Sequence, residues 1–300
     1  MSVTSRKPLD GLAMGLMCLL CATWGMQQVA IKAAASDLHP VLQNGLRSVI
    51  AAVLILGLMG LRGERLSLSD GRLPAGLSAG FLFAGEFVCV ALGLTYTSAS
   101  HMAVFLYTAP VFGALGLHFF VPGEHLSPRQ WLGVLLAFFG IAFAFSNGLA
   151  GGGASHDMLI GDALGVLGGL LWAGATLVVR KTSLSEAPPT LTLLYQLIVT
   201  AALQLGIATV NGQWAAVHMS GIAWTSLIFQ GVIVAFASYL AWYWLLRKYL
   251  ASRLSAFSFL TPLFGVSFGV LLLSDPLDPR FIAGAVLVFA GLVLVNLRGR

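Results

Sequence analysis

Charge is what this sequence has least of. Of its 300 residues 16 are Lys or Arg and 11 are Asp or Glu, 9% in all, whereas soluble domains carry about 25%. A chain so poor in charge cannot clothe an ordinary water-facing surface. Cysteine is scarcer still: Cys18, Cys21 and Cys89 all lie in apolar runs, so neither a disulfide framework nor a zinc site is expected, and the Cys-x-x-Cys reads as helix packing. The six histidines make no i, i+4 pair, and no phosphate-cradling Gly-Lys loop is present. These absences argue against an enzyme, a bound metal or cofactor, and ATP-driven work.

Apolar runs fill the space that charge leaves. Hydrophobic residues make up 58% of the chain and mean hydropathy is +0.91. A bilayer-crossing helix needs roughly 20 residues, and ten such stretches run in series: Gly11–Ala34, Val41–Leu61, Leu73–Leu94, Ser98–Val121, Gln130–Phe145, Met158–Val179, Thr190–Val210, Gly221–Leu246, Leu250–Leu273 and Phe281–Leu297. The expected fold is an all-α integral membrane protein of ten transmembrane helices. The first run is not expected to be a cleaved signal peptide. It exceeds the roughly 7 to 15 residues of a signal core and carries Trp24, Gln27 and Gln28 in its second half.

A net charge of +5 raises the question of nucleic acid, but the basic residues are sorted by loop instead of gathered in a patch. With the N-terminus inside, Arg6, Lys7, Arg62, Arg65, Arg72, Arg129, Arg180, Lys181, Arg247, Lys248, Arg253, Arg298 and Arg300 are inside, 13 of the 16, against Lys32 and Arg280 outside and Arg47 within a span. Excess Lys and Arg in cytoplasmic loops set membrane orientation. Both termini are therefore expected in the cytoplasm.

The ten spans divide into two similar fives. Ala99, Ser100, His101, Phe105, Pro110, Phe112 and Gly113 align at an offset of 152 with Ala251, Ser252, Arg253, Phe257, Pro262, Phe264 and Gly265. Gly133, Phe138 and Gly140 align at 151 with Gly284, Phe289 and Gly291, and Trp24 and Lys32 at 148 with Trp172 and Arg180. Such matches at nearly constant offset indicate internal duplication, and an odd number of spans per copy inverts the second copy in the membrane, an arrangement common in secondary transporters. The expected units are residues 1–146, a Gly-rich linker at 147–157, and residues 158–300.

Trp24-Gly25 with Lys32, Arg47 in the second span, Thr97-Ser98-Ala99-Ser100 entering the fourth, Pro110, Gly123-Glu124 and the Gly133–Gly140 stretch resemble the drug/metabolite transporter superfamily, EamA type, most of all its YddG-type exporters of aromatic and other amino acids. The second half departs from that pattern, with Ser274-Asp275-Pro276 for the Gly-Glu pair and Ala173 after Trp172. The resemblance implies a basket of ten helices around a central cavity, built mainly from the first four spans of each half, in a bacterial-type inner membrane. It also implies a small-molecule substrate, an amino acid or related metabolite.

Packing and polarity refine that expectation. Close helix approach in lipid needs small residues, supplied by Gly11/Gly15, Gly76/Gly80, Gly161/Gly165/Gly169 and Gly265/Gly269. Pro110 and Pro262 should bend their spans near mid-membrane, as static kinks or as hinges. Polar groups at membrane depth usually face a cavity. Arg47 and Glu86 lie about six and eight residues from the outer ends of their spans, hence both roughly 10 Å below the outer surface; at that shared depth two readings stand, a structural pair of the two or Glu86 as a site for protons or a substrate ammonium. Trp24, Gln27 and Gln28 share one helix face, and Trp172 and Thr176 match them in depth. Tyr107, Gln43, Gln196, Gln230 and Tyr239 complete the mid-membrane candidates for substrate contact. Trp242 and Tyr243, close before Arg247, read instead as part of an interfacial aromatic belt. Lys32, at the rim, and Arg47, Pro110 and Pro262 are expected to serve structure or gating.

An aromatic wall with a few amides suits a neutral or zwitterionic solute with an apolar side chain. Three functions fit: an exporter of amino acids or similar metabolites, a transporter of sugar-linked or phosphorylated anions, and a membrane-embedded enzyme or scaffold. Phosphorylated substrates call for several cations, and only Arg47 is clearly placed.

Overall fold

Ten helices account for nearly all of the described residues. The computed structural model describes residues 7–64, 71–97, 102, 105–121, 125–144, 156–250, 253–254, 257–258, 260–273 and 279–296. The helices are α1 Gly11–Ala33, α2 Pro40–Leu61, α3 Leu73–Tyr96, α4 Ala109–Phe120, α5 Pro128–Ala144, α6 His156–Lys181, α7 Pro189–Val210, α8 Gly221–Lys248, α9 Leu260–Leu273 and α10 Pro279–Asn296. Six of them, α1, α2, α3, α6, α7 and α8, are long and apolar enough to cross a membrane on their own described lengths. The Gly148–Ser155 linker, the Ser98–Ser100 stretch and the Gly123-Glu124 and Ser274-Asp275-Pro276 motifs lie outside the described residues.

Helices suit this composition because each satisfies its own backbone hydrogen bonds, which lipid cannot do. Their starts are marked in the sequence. Asp10 caps α1 by accepting from the Ala13 N–H at 2.9 Å, and Ser220 caps α8 by accepting from the Ala223 N–H at 3.2 Å. Proline stands in the first turn of α2, α3 and α7, where its missing N–H costs nothing. The Ala13 N–H and the Tyr249 hydroxyl, which donates at 2.8 Å, hold the Asp10 carboxyl below the usual carboxylate range. Leu19, Val53, Phe81, Phe139, Val210 and Leu271 point outward from their helices and are largely exposed. In a bilayer these side chains face lipid.

The helix contacts follow a two-fold exchange of the halves. The α1–α9 contact is matched by α6–α4, and the α2–α8 contact by α7–α3, while α2–α7 and α5–α10 pair equivalent helices across the pseudo-axis. The exchange fails at one place. Helix α3 follows α6 along much of its length, whereas their counterparts α8 and α1 touch far less, and this leaves room beside α1 and α8. Within α8, residues Phe229–Ser238 are wound as a π-helix.

Pro110 and Pro262 do not kink continuous spans as expected. The chain leaves the helix at Tyr107–Thr108 and again at Ser258, and each proline then sits in the first turn of the helix that follows, α4 or α9. The freed carbonyls are used locally, with the Thr108 N–H donating to Phe105 at 3.2 Å and the Thr261 N–H to Ser258 at 2.9 Å. A broken span costs less this way than a proline inside an intact helix.

Glycine lets the halves close on these breaks. A Cβ on Gly25 would stand 2.7 Å from the Gly265 nitrogen, and one on Gly169 2.7 Å from the Leu106 carbonyl oxygen. Gly11 and Gly15, expected to pack likewise, have nothing within 4 Å of a built Cβ; they face away from neighbouring helices. Gly25→Val should therefore lower the thermal stability of the purified protein by an amount worth about 1 to 3 kcal/mol, while Gly15→Ala, inside α1 with open space for its methyl, should hold or slightly raise the melting temperature. Equal effects from the two substitutions would contradict this packing.

Candidate functional site

A cavity of about 600 Å³ lies between α1, α3, α6, α8 and the break before α4. Four helices build it by one rule. Each contributes residues at i, i+3 and i+4, the positions that share a helix face: Trp24, Gln27 and Gln28 from α1; Phe83, Glu86 and Phe87 from α3; Trp172, Ala175 and Thr176 from α6; Tyr239, Trp242 and Tyr243 from α8. Every set begins with an aromatic ring. Leu106 and Tyr107, from the break, complete the wall.

The rings hold one another edge to face. Trp24 is the hub, its ring centre 6.3 Å from Trp172 and 5.6 Å from Trp242, and its indole N–H donates to the Ser238 hydroxyl at 2.9 Å. Tyr107 meets Trp172 at 5.3 Å, and Phe83 meets Tyr239 at 5.5 Å. Pairs in this geometry add about 0.5 to 1.5 kcal/mol each beyond burial, so the wall is a preorganised aromatic box. The Tyr239 hydroxyl donates to Gln27 Oε1 at 3.5 Å, which steadies the polar side of α1.

Polar atoms left open in this box define its chemistry. Glu86 is 6% exposed, and its Oε2 has no hydrogen-bond partner; the Gln28 Oε1 has none either. Both are acceptors in an aromatic surround, and buried acceptors are costly until a donor arrives. A solute bearing N–H donors, above all an ammonium, supplies what is missing and gains from the ring faces as well.

Arg47 does not make the structural pair. No hydrogen bond or ion pair joins it to Glu86. Its guanidinium instead lies over the Phe87 ring, 4.1 Å from the centroid, with the Tyr239 ring centre 6.0 Å away, and it is absent from the cavity lining. Phe87 stands between Arg47 and the cavity. The Nε and one terminal nitrogen of Arg47 have no partner although the residue is 1% exposed.

The other sequence candidates separate cleanly. Trp24, Gln27, Gln28, Glu86, Tyr107, Trp172, Thr176 and Tyr239 come together on the cavity wall. Gln43 and Gln230 do not: Gln230 donates to Gln43 Oε1 at 2.8 Å and to the Ser226 hydroxyl at 2.8 Å, and Gln43 donates to the Leu38 carbonyl at 2.6 Å. They tie α2 to α8 near the end of the bundle opposite Lys7, Arg62 and Arg247. Lys32 is exposed at the end of α1, and Pro262 is buried in the first turn of α9. Trp242 and Tyr243, read as an interfacial belt, are buried and line the cavity. Phe83 and Phe87 were missed, although their i, i+3, i+4 spacing around Glu86 carried the signal.

Known proteins match this chain along nearly its whole length. An uncharacterized transporter of Bacillus subtilis, YoaV, is 24% identical over 90% of this chain and 92% of its own. A probable amino-acid metabolite efflux pump of Escherichia coli is 26% identical over 97% of this chain and 95% of its own. A solved crystal structure superimposes with a TM-score of 0.80 at 17% identity, covering 95% of this chain and 98% of the other, and shares the fold. The sequence profile of the EamA-like transporter family matches twice, at residues 11–146 and again at 159–297. With both halves matched, the chain belongs to the EamA-like transporter family.

Proposed function

We propose that this transporter exports amino acids, above all those with aromatic or other neutral side chains, or closely similar metabolites, by alternating access and without ATP. The observation that carries the reading is the cavity itself: a carboxylate with a free oxygen set among aromatic rings, matched to a solute with an ammonium and an apolar side chain. The E. coli relative's name points the same way. Phosphorylated or sugar-linked anions fit less well, because no cation is among the lining residues of the central cavity and Arg47 stands behind Phe87. The sorting of Lys and Arg supports an orientation with the end bearing Lys7, Arg62, Arg180 and Arg247 in the cytoplasm, in a bacterial-type inner membrane. Glu86 is the ammonium hook in this reading, and its exposure to the cavity also leaves it open to protons.

Counterflow of labelled phenylalanine in proteoliposomes tests the assignment. Trp24→Ala removes the hub of the box and should weaken phenylalanine binding by roughly 1 to 3 kcal/mol with folding retained; a folded variant that transports normally would make the rings mere packing. Glu86→Gln removes a charged acceptor, and the apparent affinity should fall on the order of ten- to a hundredfold. Unchanged affinity in that variant would remove the hook from the mechanism.

A further inference from the structure

A second, narrow pocket, with room inside for about one water-sized group, lies at the basic end of the bundle, between the end of α6, the 3₁₀ turn Ser183–Glu186, the start of α7 and the end of α8. Its chemistry is the reverse of the central cavity's. Two arginines, Arg180 and Arg247, line it with the hydroxyl side chains Ser185 and Thr192, and no carboxylate is among its ten lining residues. Arg180 is 5% exposed and is fixed there by donating to the Leu246 carbonyl at 2.7 Å. Arg247 is exposed and gives the cavity its opening toward water.

The two cavities have one lining residue in common, Tyr243. It is the wall they share, and its hydroxyl donates to Gln196 Oε1 on α7. Gln196 is itself fully buried. Immediately before this part of α8 comes the π-helical stretch Phe229–Ser238, a winding that is rare and frequent at functional sites. Rewinding the ten-residue stretch from π to α adds roughly 15° of rotation per residue, on the order of 100° over its length, which is enough to carry Tyr243 out of the partition.

We propose that the small cavity is a loading site for the carboxylate of the substrate, placed on the path into the central cavity, with Tyr243 as the partition and its bond to Gln196 as the latch. The proposal rests on the reading of the central cavity as the substrate site. An amino acid arriving at the basic end meets cations first, which take its carboxylate; past Tyr243 its ammonium and side chain meet Glu86 and the aromatic box. Cations at one station and a carboxylate at the next match the two ends of one zwitterion.

Arginine labelling tests this. The purified full-length protein is treated with phenylglyoxal, and modification of Arg247, with Arg62 and Arg129 as exposed controls, is followed by mass spectrometry in the presence of L-phenylalanine or of phenethylamine, which keeps the ring and ammonium but lacks the carboxylate. L-phenylalanine at ten times its dissociation constant is expected to slow modification of Arg247 by roughly tenfold and to leave the controls unchanged. Phenethylamine is expected to give no protection. Protection should persist in Trp24→Ala, whose lesion lies beyond Tyr243. An Arg247 rate indifferent to L-phenylalanine, equal protection by the two solutes, or protection that vanishes in Trp24→Ala overturns the loading site and leaves the central cavity standing. Arg247 protection that persists while Trp24→Ala transports normally retains the loading site and removes the central assignment.

Discussion

Glu86 and Arg47 stand at membrane depth without a bond between them, and much of the architecture follows from making that tolerable. Charged groups at the bilayer centre cost several kcal/mol unless they face a cavity, a partner or water. Arg47 is accommodated by the faces of Phe87 and Tyr239, whose quadrupoles attract a cation. Glu86 is accommodated by a cavity. The aromatic residues that shield the one also wall the other, so the same rings meet a structural need and form the candidate binding surface.

The inverted duplication explains how such a cavity arises and why it is lopsided. Two five-helix units related by a pseudo-two-fold axis pack equivalent helices against each other, as α2 with α7 and α5 with α10. Perfect symmetry would close both sides equally. Here α3 follows α6 closely, while α8 leaves α1 and is wound as a π-helix beside it. Two arrangements of the same interface, one on each side, are what alternating access requires. The chemistry is less symmetric than the backbone: Glu86 and Arg47 both lie in the first half, and the arginine-lined cavity lies in the second.

Much of this was legible in the sequence because the signals were periodic. Helix bounds matched to within a few residues wherever an apolar run was continuous, and Trp24, Gln27 and Gln28 announced the cavity face of α1 by spacing alone. The same i, i+3, i+4 rule, applied to Phe83, Glu86 and Phe87 or to Tyr239, Trp242 and Tyr243, would have completed the wall. Depth was the weaker guide. It set Arg47 beside Glu86 because both were near one level, but level says nothing about direction, and Arg47 points at a ring. Depth likewise drew Gln43 and Gln230 toward the substrate, although Gln230 donates to Gln43 and neither lines the cavity. The breaks at Tyr107–Thr108 and Ser258 were invisible because a proline marks a distortion without saying whether the helix bends or restarts.

Photolabelling with a diazirine analogue of phenylalanine tests most directly whether the cavity between the halves is where substrate binds. Adducts should fall on the wall residues of α1, α3, α6 and α8, such as Trp24, Phe83, Trp172 and Tyr239, and unlabelled phenylalanine should compete them away. Adducts concentrated on lipid-facing residues such as Phe81, Phe139 and Leu271, or wall adducts that phenylalanine does not displace, would contradict it.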